Sequence, residues 1–144
     1  MTCRIALHHF PSPRQALHEV ARVLKPGGVF GFTDNVTVES ESAAAYYNEY
    51  ERLRDLPHQR VHSLSELHSM FCAAGFEIQA TRTLTKAFEF NDWSDRQRVS
   101  DSDKHRLRQM MDEIPAELQP LFQPRSADGT LYFNLWEAVI VAHR

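Results

Sequence analysis

The stretch that decides the fold is residues 3–35, CRIALHHFPSPRQALHEVARVLKPGGVFGFTDN. Its opening apolar run makes residues 2–7 a candidate strand. From Pro13 onward apolar residues recur at helical spacing, with Ser12 as the expected N-cap and proline at the first helical position. A Lys-Pro-Gly-Gly turn ends this helix, and the apolar run at 29–34 indicates a buried strand. Strand, helix and strand joined by short links predict a βαβ unit with two parallel strands.

The rest of the chain continues the alternation of helices and strands. Residues 40–54 predict a helix, and a serine–glutamate capping box predicts that another helix begins after Ser63. Strands are expected at 76–83 and 131–142, where branched and aromatic residues accumulate. Charged residues punctuated by prolines at 87–128 predict a helical insertion or lid. We therefore expect one α/β domain of 144 residues with four strands and four or five helices.

Composition narrows the class of protein. The formal net charge is -3, so the chain lacks the basic excess that is usual in nucleic-acid-binding proteins. No apolar run approaches the roughly 20 residues of a membrane span, and the first residues do not have the pattern of a signal peptide. Cys3 and Cys72 are far apart and lie in apolar surroundings, which favours two buried, reduced thiols. We expect a cytoplasmic protein without nucleic-acid or membrane partners.

Two blocks carry a resemblance to a known family. They are ALHHFPSPRQALHEVARVLKPGGVFGFTDN at 6–35 and NEYERLRDLPHQRVHSLSELHSMFCAAGFEIQ at 48–79. Their order and spacing resemble class I S-adenosylmethionine-dependent methyltransferases, closest to the type-11 branch. That family has a seven-stranded sheet in the order 3-2-1-4-5-7-6. The resemblance implies that this chain forms a partial Rossmann-like sheet, equivalent to strands 4-5-7-6 with the last strand antiparallel, flanked by helices.

The resemblance also implies that a cofactor-binding part is missing from the sequence. The family holds S-adenosylmethionine mainly with a glycine-rich turn after its first strand and an acidic residue after its second. The five glycines of this chain contain no GxG pattern. We therefore expect the C-terminal half of a methyltransferase, inactive alone and weak in cofactor binding. Met1 stands where relatives tend to have valine, which suggests a start site inside a longer reading frame.

Candidate site residues follow the predicted strands, because open α/β sheets bind ligands at the carboxyl ends of their strands. The resemblance implies cofactor contacts near Arg4, Ala6 and His8. It implies substrate contacts for six further polar residues: His9, Asp34, Asn35, Asn48, Arg52 and His58. Each of these has a plain structural alternative, such as packing, turn formation or a solvated helix face. No catalytic residue stands out, since methyl transfer can proceed by positioning alone.

Three functions remain open from the sequence. The first is methyl transfer from S-adenosylmethionine to a small molecule. The second is a non-enzymatic half-domain that forms a homo-oligomer through its exposed first strand. The third, a histidine-based metal protein, is the least supported: the eight histidines show no HxH or HxxH spacing. Adjacent side chains such as those of His8 and His9 point to opposite faces of an extended segment, so no metal site is expected.

Overall fold

Helices and strands alternate along the first half of the chain, and further helices precede a final hairpin. The computed structural model describes residues 1–144. The strands are β1 (Thr2–Arg4), β2 (Val29–Thr37), β3 (His62–Ser63), β4 (Glu77–Glu89), β5 (Arg125–Ala127) and β6 (Thr130–His143). The α-helices are α1 (Pro13–Val23), α2 (Glu41–Arg54), α3 (Leu64–Ala73), α4 (Phe90–Asp95), α5 (Asp101–Asp112) and α6 (Gln119–Phe122). Leu7–His9 and Ala116–Leu118 are short 3-10 helices.

Four of the six strands form the main path of the sheet, where they pair in the order β1-β2-β6-β4. β1 runs parallel to β2, whereas β6 is antiparallel to both β2 and β4. This is the predicted 4-5-7-6 arrangement with an antiparallel last strand, which is confirmed. The short strands β3 and β5 were not predicted, because segments of two and three residues carry no readable periodicity. β5 joins β6 through Asp128 and Gly129, whose φ angles of 51° and 76° suit a tight hairpin turn.

The first strand is shorter than predicted. β1 ends at Arg4, because Ile5 has a φ of 48° and turns the chain out of the extended conformation. A β-branched residue with positive φ is a strained exception, held here by the bond from the Ile5 N–H to the Thr33 carbonyl at 2.7 Å. The chain then enters the 3-10 helix Leu7–His9 rather than continuing as a strand.

The two predicted helix starts differ in how they are capped. The capping box of α3 is confirmed: the Ser63 side chain accepts the Glu66 N–H, and the Glu66 carboxylate accepts the Ser63 N–H. α1 begins at Pro13 as predicted, but the Ser12 side chain makes no capping hydrogen bond. Proline at the first helical position therefore defines that start, because it removes one of the N–H groups that a cap would satisfy.

No helix combines the length and the apolarity that crossing a bilayer requires.

Two hydrophobic clusters hold the sheet and helices together. One cluster of 14 buried residues packs α1 and α3 against β2 and β6, with Phe30, Phe32 and Phe71 among its members. The other, of 15 buried residues, packs α2, α4, α5 and α6 against the start of β6. Trp136 packs against both clusters. β4 extends to Glu89, so the helices of the predicted insertion, which was expected from residue 87, begin at Phe90.

The cysteines differ from their predicted environment. Both are free, Cys3 is half-buried in β1, and Cys72 is exposed on α3. The expectation of two buried thiols was wrong for Cys72, because the apolar face of α3 is formed by Leu67, Met70 and Phe71, and position 72 falls outside it.

Candidate functional site

A group of histidines and carboxylates collects at the carboxyl end of β1. The 3-10 helix after β1 supplies His8 and His9, β2 supplies Asp34, and the segment after α2 supplies Asp55 and His58. We call these five residues the histidine cluster. The His8 carbonyl accepts the N–H groups of residues 59 and 60, at 2.9 and 3.0 Å. This pair of bonds fastens the segment after α2 to the 3-10 helix and brings the distant parts of the cluster together.

His8 and Asp34 form the buried centre of the cluster. His8 Nδ1 lies 2.5 Å from Asp34 Oδ1, and the side chains are only 7% and 3% exposed. Asp34 also accepts the backbone N–H groups of His8, at 3.2 Å, and Asn35, at 2.8 Å. Burial by itself lowers the pKa of His8, but the hydrogen bond and charge of Asp34, with the charges of Glu51 and Asp55, outweigh it and raise the pKa. Asp34 thus stabilises a charged or Nδ1-protonated His8 ring.

His9 lies beside this pair rather than facing away from it. The ring centroids of His8 and His9 are 4.0 Å apart, and His9 Nε2 lies 3.6 Å from Asp55 Oδ2. The expectation that the two histidines point to opposite faces was wrong, because it assumed an extended segment and the backbone here is a 3-10 helix. The His9 side chain is 31% exposed, so it is the ring of this pair that reaches solvent.

Asn48 orients the His58 ring, and burial keeps that ring neutral. The Asn48 amide donates to the carbonyls of Ala44, at 2.8 Å, and Val61, at 3.2 Å. Its Oδ1 must therefore be the acceptor for His58 Nε2, at 2.8 Å, and the His58 proton sits on Nε2. Burial lowers the pKa of His58 to about 3, and the charges of His8, Arg52 and His9 add to the shift. Asn48 and His58, both predicted site residues, are brought together.

A buried carboxyl that was not predicted from the sequence lies next to the cluster. Glu51 is 3% exposed, its Oε1 has no hydrogen-bond partner, and Arg54 lies 4.0 Å from Oε2. Burial raises the pKa of Glu51 and raises that of Tyr47 well above its ordinary value. The Tyr47 hydroxyl is buried and also lacks a partner with hydrogen-bond geometry. The four-residue spacing of Tyr47, Glu51 and Asp55 puts them on one helical face. This spacing is the feature of the sequence that could have indicated a role for Glu51.

The other predicted site residues are not members of the cluster. Arg4 is exposed at the end of β1, and Ala6 is half-buried just before the 3-10 helix. Arg52 is exposed and donates to the Gln59 carbonyl at 3.4 Å. Like Asp34, Asn35 was expected beyond its strand but lies inside β2, which continues to pair with β3 and β6. Its side chain faces the opposite side of the sheet from Asp34, since successive strand residues alternate.

The chain shares sequence and structure with several bacterial proteins. A family model described as a methyltransferase domain matches residues 1–81. The uncharacterized methyltransferase YcgJ of Bacillus subtilis (strain 168) is 39% identical over 93 residues, which are 65% of this chain and 37% of that protein. The uncharacterized protein YafE of Escherichia coli (strain K12) is 26% identical over 141 residues, 98% of this chain and 67% of that protein.

Two crystal structures share the fold over almost the whole chain. The structure of YcgJ superposes with a TM-score of 0.92 at 29% identity and covers 99% of this chain and 62% of that one. A candidate methyltransferase of Bacillus halodurans C-125 superposes with a TM-score of 0.90 at 35% identity and covers 99% of this chain and 67% of that one. The chain thus spans less than two thirds of the length of YcgJ.

Proposed function

Since this chain belongs to the class I S-adenosylmethionine-dependent methyltransferase family, we propose that its histidine cluster receives a small-molecule methyl acceptor. The observation that carries the proposal is the position of the buried His8–Asp34 pair. His8 follows the end of β1, and Asp34 lies in the neighbouring parallel strand β2. Open α/β sheets bind ligands at this edge. The positive φ angle of Ile5 supports the proposal, because a strained backbone conformation is usually retained where it positions functional side chains.

The cluster suits a polar acceptor. His9 offers a ring that reaches solvent next to Asp55, while His8 and His58 are held in fixed orientations by Asp34 and Asn48. Fixed polar groups orient an acceptor, and methyl transfer depends mainly on such positioning. We place the reaction in the cytoplasm, where two free cysteines stay reduced.

The paired glycines of this chain do not form a cofactor cradle. Gly27 and Gly28 close the turn between α1 and β2, at the amino end of β2 and away from the cluster. A Cβ at Gly28 would lie 2.7 Å from the Lys25 carbonyl oxygen, so this glycine serves the turn itself. We propose that residues 1–144 supply the acceptor side of the domain and that strong S-adenosylmethionine binding requires chain beyond them. On this proposal the isolated chain is inactive.

We expect the 144-residue chain to bind S-adenosylmethionine more weakly than a Kd of about 1 mM, which corresponds to about 4 kcal/mol. The reason is the lack of a glycine turn where the backbone could approach the cofactor. Isothermal titration of the chain with S-adenosylmethionine measures this directly. Micromolar affinity would contradict the proposed division between the acceptor side and the cofactor side.

The acceptor role is tested with the chain expressed together with any in-frame coding sequence that precedes Met1. Release of S-adenosylhomocysteine is followed with a panel of small hydroxy, amino and thiol acceptors. His9→Gln should lower kcat/KM at least about tenfold, or about 1.4 kcal/mol. His105→Gln, at an exposed position on α5, should leave kcat/KM unchanged. Equal activity of the His9→Gln variant and the wild type would exclude the cluster as the acceptor site.

A second candidate function is an assembly module built on the free edge of β1. β1 pairs with β2 alone. The Met1 carbonyl accepts the Gly31 N–H at 3.0 Å, and the Ile5 N–H bonds to β2. Because bonding direction alternates along a strand, the N–H groups of Thr2 and Arg4 point away from β2. An open row of such groups can pair with another chain, which favours a homo-oligomer.

If this edge pairs with a second copy, Arg4→Pro should convert dimers to monomers, because proline removes an outward N–H and leaves the β1–β2 bonds in place. Arg4→Ala is the matched control, since it removes the same charge but keeps the N–H. Light scattering over a range of concentrations measures the mass. A monomeric wild-type chain at high concentration would rule out the assembly function.

A further inference from the structure

We propose that His8, His9 and Asp55 form a binding site for one divalent transition-metal ion, with Zn²⁺ as the best match. One ligand atom from each residue can be chosen so that all three lie within 4.8 Å of one another. The inference goes beyond methyl transfer and does not depend on it. Two imidazoles and one carboxylate are a common catalytic zinc ligand set, which leaves a fourth position for water or a substrate atom.

The donor atoms favour a transition metal over Mg²⁺ or Ca²⁺. Imidazole nitrogens suit zinc and its neighbours, whereas the hard cations prefer sites made wholly of oxygen. Bonds of about 2.1 Å bring tetrahedral ligand atoms to roughly 3.4 Å from one another. His9 Nε2 and Asp55 Oδ2 are already 3.6 Å apart. A small rotation of the partly exposed His9 ring would close the set.

Asp34 provides the outer support that such a ligand needs. It is hydrogen-bonded to Nδ1 of His8. A neutral His8 then carries its proton on Nδ1 and presents the lone pair of Nε2. Metal-binding histidines almost always donate their second ring N–H to a carboxylate or carbonyl in this way. The pair is buried, so the ring orientation is set before an ion arrives.

The polar surroundings also favour a cation. Asp34 and Asp55 are buried carboxyls in the cluster, and Glu51 lies close enough to act electrostatically on His8. His9 Nδ1 is buried and has no hydrogen-bond partner, and His9 Nε2 lies 3.6 Å from Asp55 Oδ2. An ion bound between His9 Nε2 and Asp55 Oδ2 would bridge these two groups. The exposed side of His9 leaves an approach for water or a ligand.

Isothermal titration of the chelator-treated 144-residue chain with Zn²⁺ tests the proposal, without S-adenosylmethionine or acceptor. We expect one ion per chain, and Co²⁺ should give the absorption bands of a low-symmetry four- or five-coordinate site. His9→Gln and Asp55→Asn should each weaken binding at least tenfold. His105→Gln, on the exposed face of α5, should bind as the wild type does.

Asp34→Asn separates the outer support from the ligands. Loss of an outer-shell carboxylate typically weakens metal binding 10- to 100-fold, and we expect that range here. Circular dichroism of each variant confirms that it remains folded. Absence of a stoichiometric Zn²⁺ site, or equal affinity in His9→Gln and the wild type, would overturn the proposal. Neither result bears on S-adenosylhomocysteine release, so the metal site and the methyl-transfer function can fail separately.

Discussion

Phe71→Ala is expected to destabilise the chain by about 3–5 kcal/mol, the usual cost of removing a fully buried phenylalanine. Phe71 is 0% exposed on α3 and joins that helix to the sheet. Its ring stacks on Phe30 with centroids 5.7 Å apart and meets Phe32 edge-on at 5.3 Å. The residues around these rings are closely packed, so they cannot shift far enough to fill the cavity that alanine would leave. Urea unfolding followed by circular dichroism measures the change.

Leu56→Ala is the control for this prediction, because Leu56 is 91% exposed and its truncation removes almost no buried surface. Its effect should stay within about 0.5 kcal/mol. Domains of this kind are stable by only about 5–15 kcal/mol, so the Phe71 variant would lose a large share of that margin. A Phe71→Ala variant as stable as the wild type would mean that the α3–sheet core does not support the fold.

Asp34→Ala is the second substitution with a large expected effect. It leaves His8 and two backbone N–H groups without their buried acceptor. Removing one partner of a buried ion pair typically costs about 3–5 kcal/mol, and we expect this range at pH values where His8 is protonated. The exposed Asp112 at the end of α5 offers a matched control, and Asp112→Ala should change stability by less than about 0.5 kcal/mol.

The pH dependence of this cost has a definite sign. The pKa of His8 is raised in the folded chain, so the protonated pair stabilises the fold fully below the unfolded value, about 6.5. That contribution is lost as the pH rises through the raised folded value. The stability difference between wild type and Asp34→Ala should therefore shrink toward alkaline pH in chelator-containing buffer. A difference that is constant from pH 5 to 9 would show that the charge on His8 does not contribute.

The order of elements was predictable because helix and strand signals are local. Pro13, the Ser63 capping box and the apolar run at 29–34 each specify structure within a few residues, and all were confirmed. The end of β1 was not predictable, since nothing in the residue pattern signals that Ile5 adopts positive φ. Helical periodicity could have indicated Glu51, but its burial depends on what packs against α2.

The sequence by itself determined the alternating elements and, through the family resemblance, the order of the sheet, because periodicity and motif spacing are written along the chain. Tertiary structure alone decided which polar residues meet. His8 and Asp34 are 26 positions apart, and the segment carrying Asp55 and His58 is bonded to them through the His8 carbonyl. Such contacts depend on where strand ends and loops converge in space, and a one-dimensional pattern does not contain that convergence.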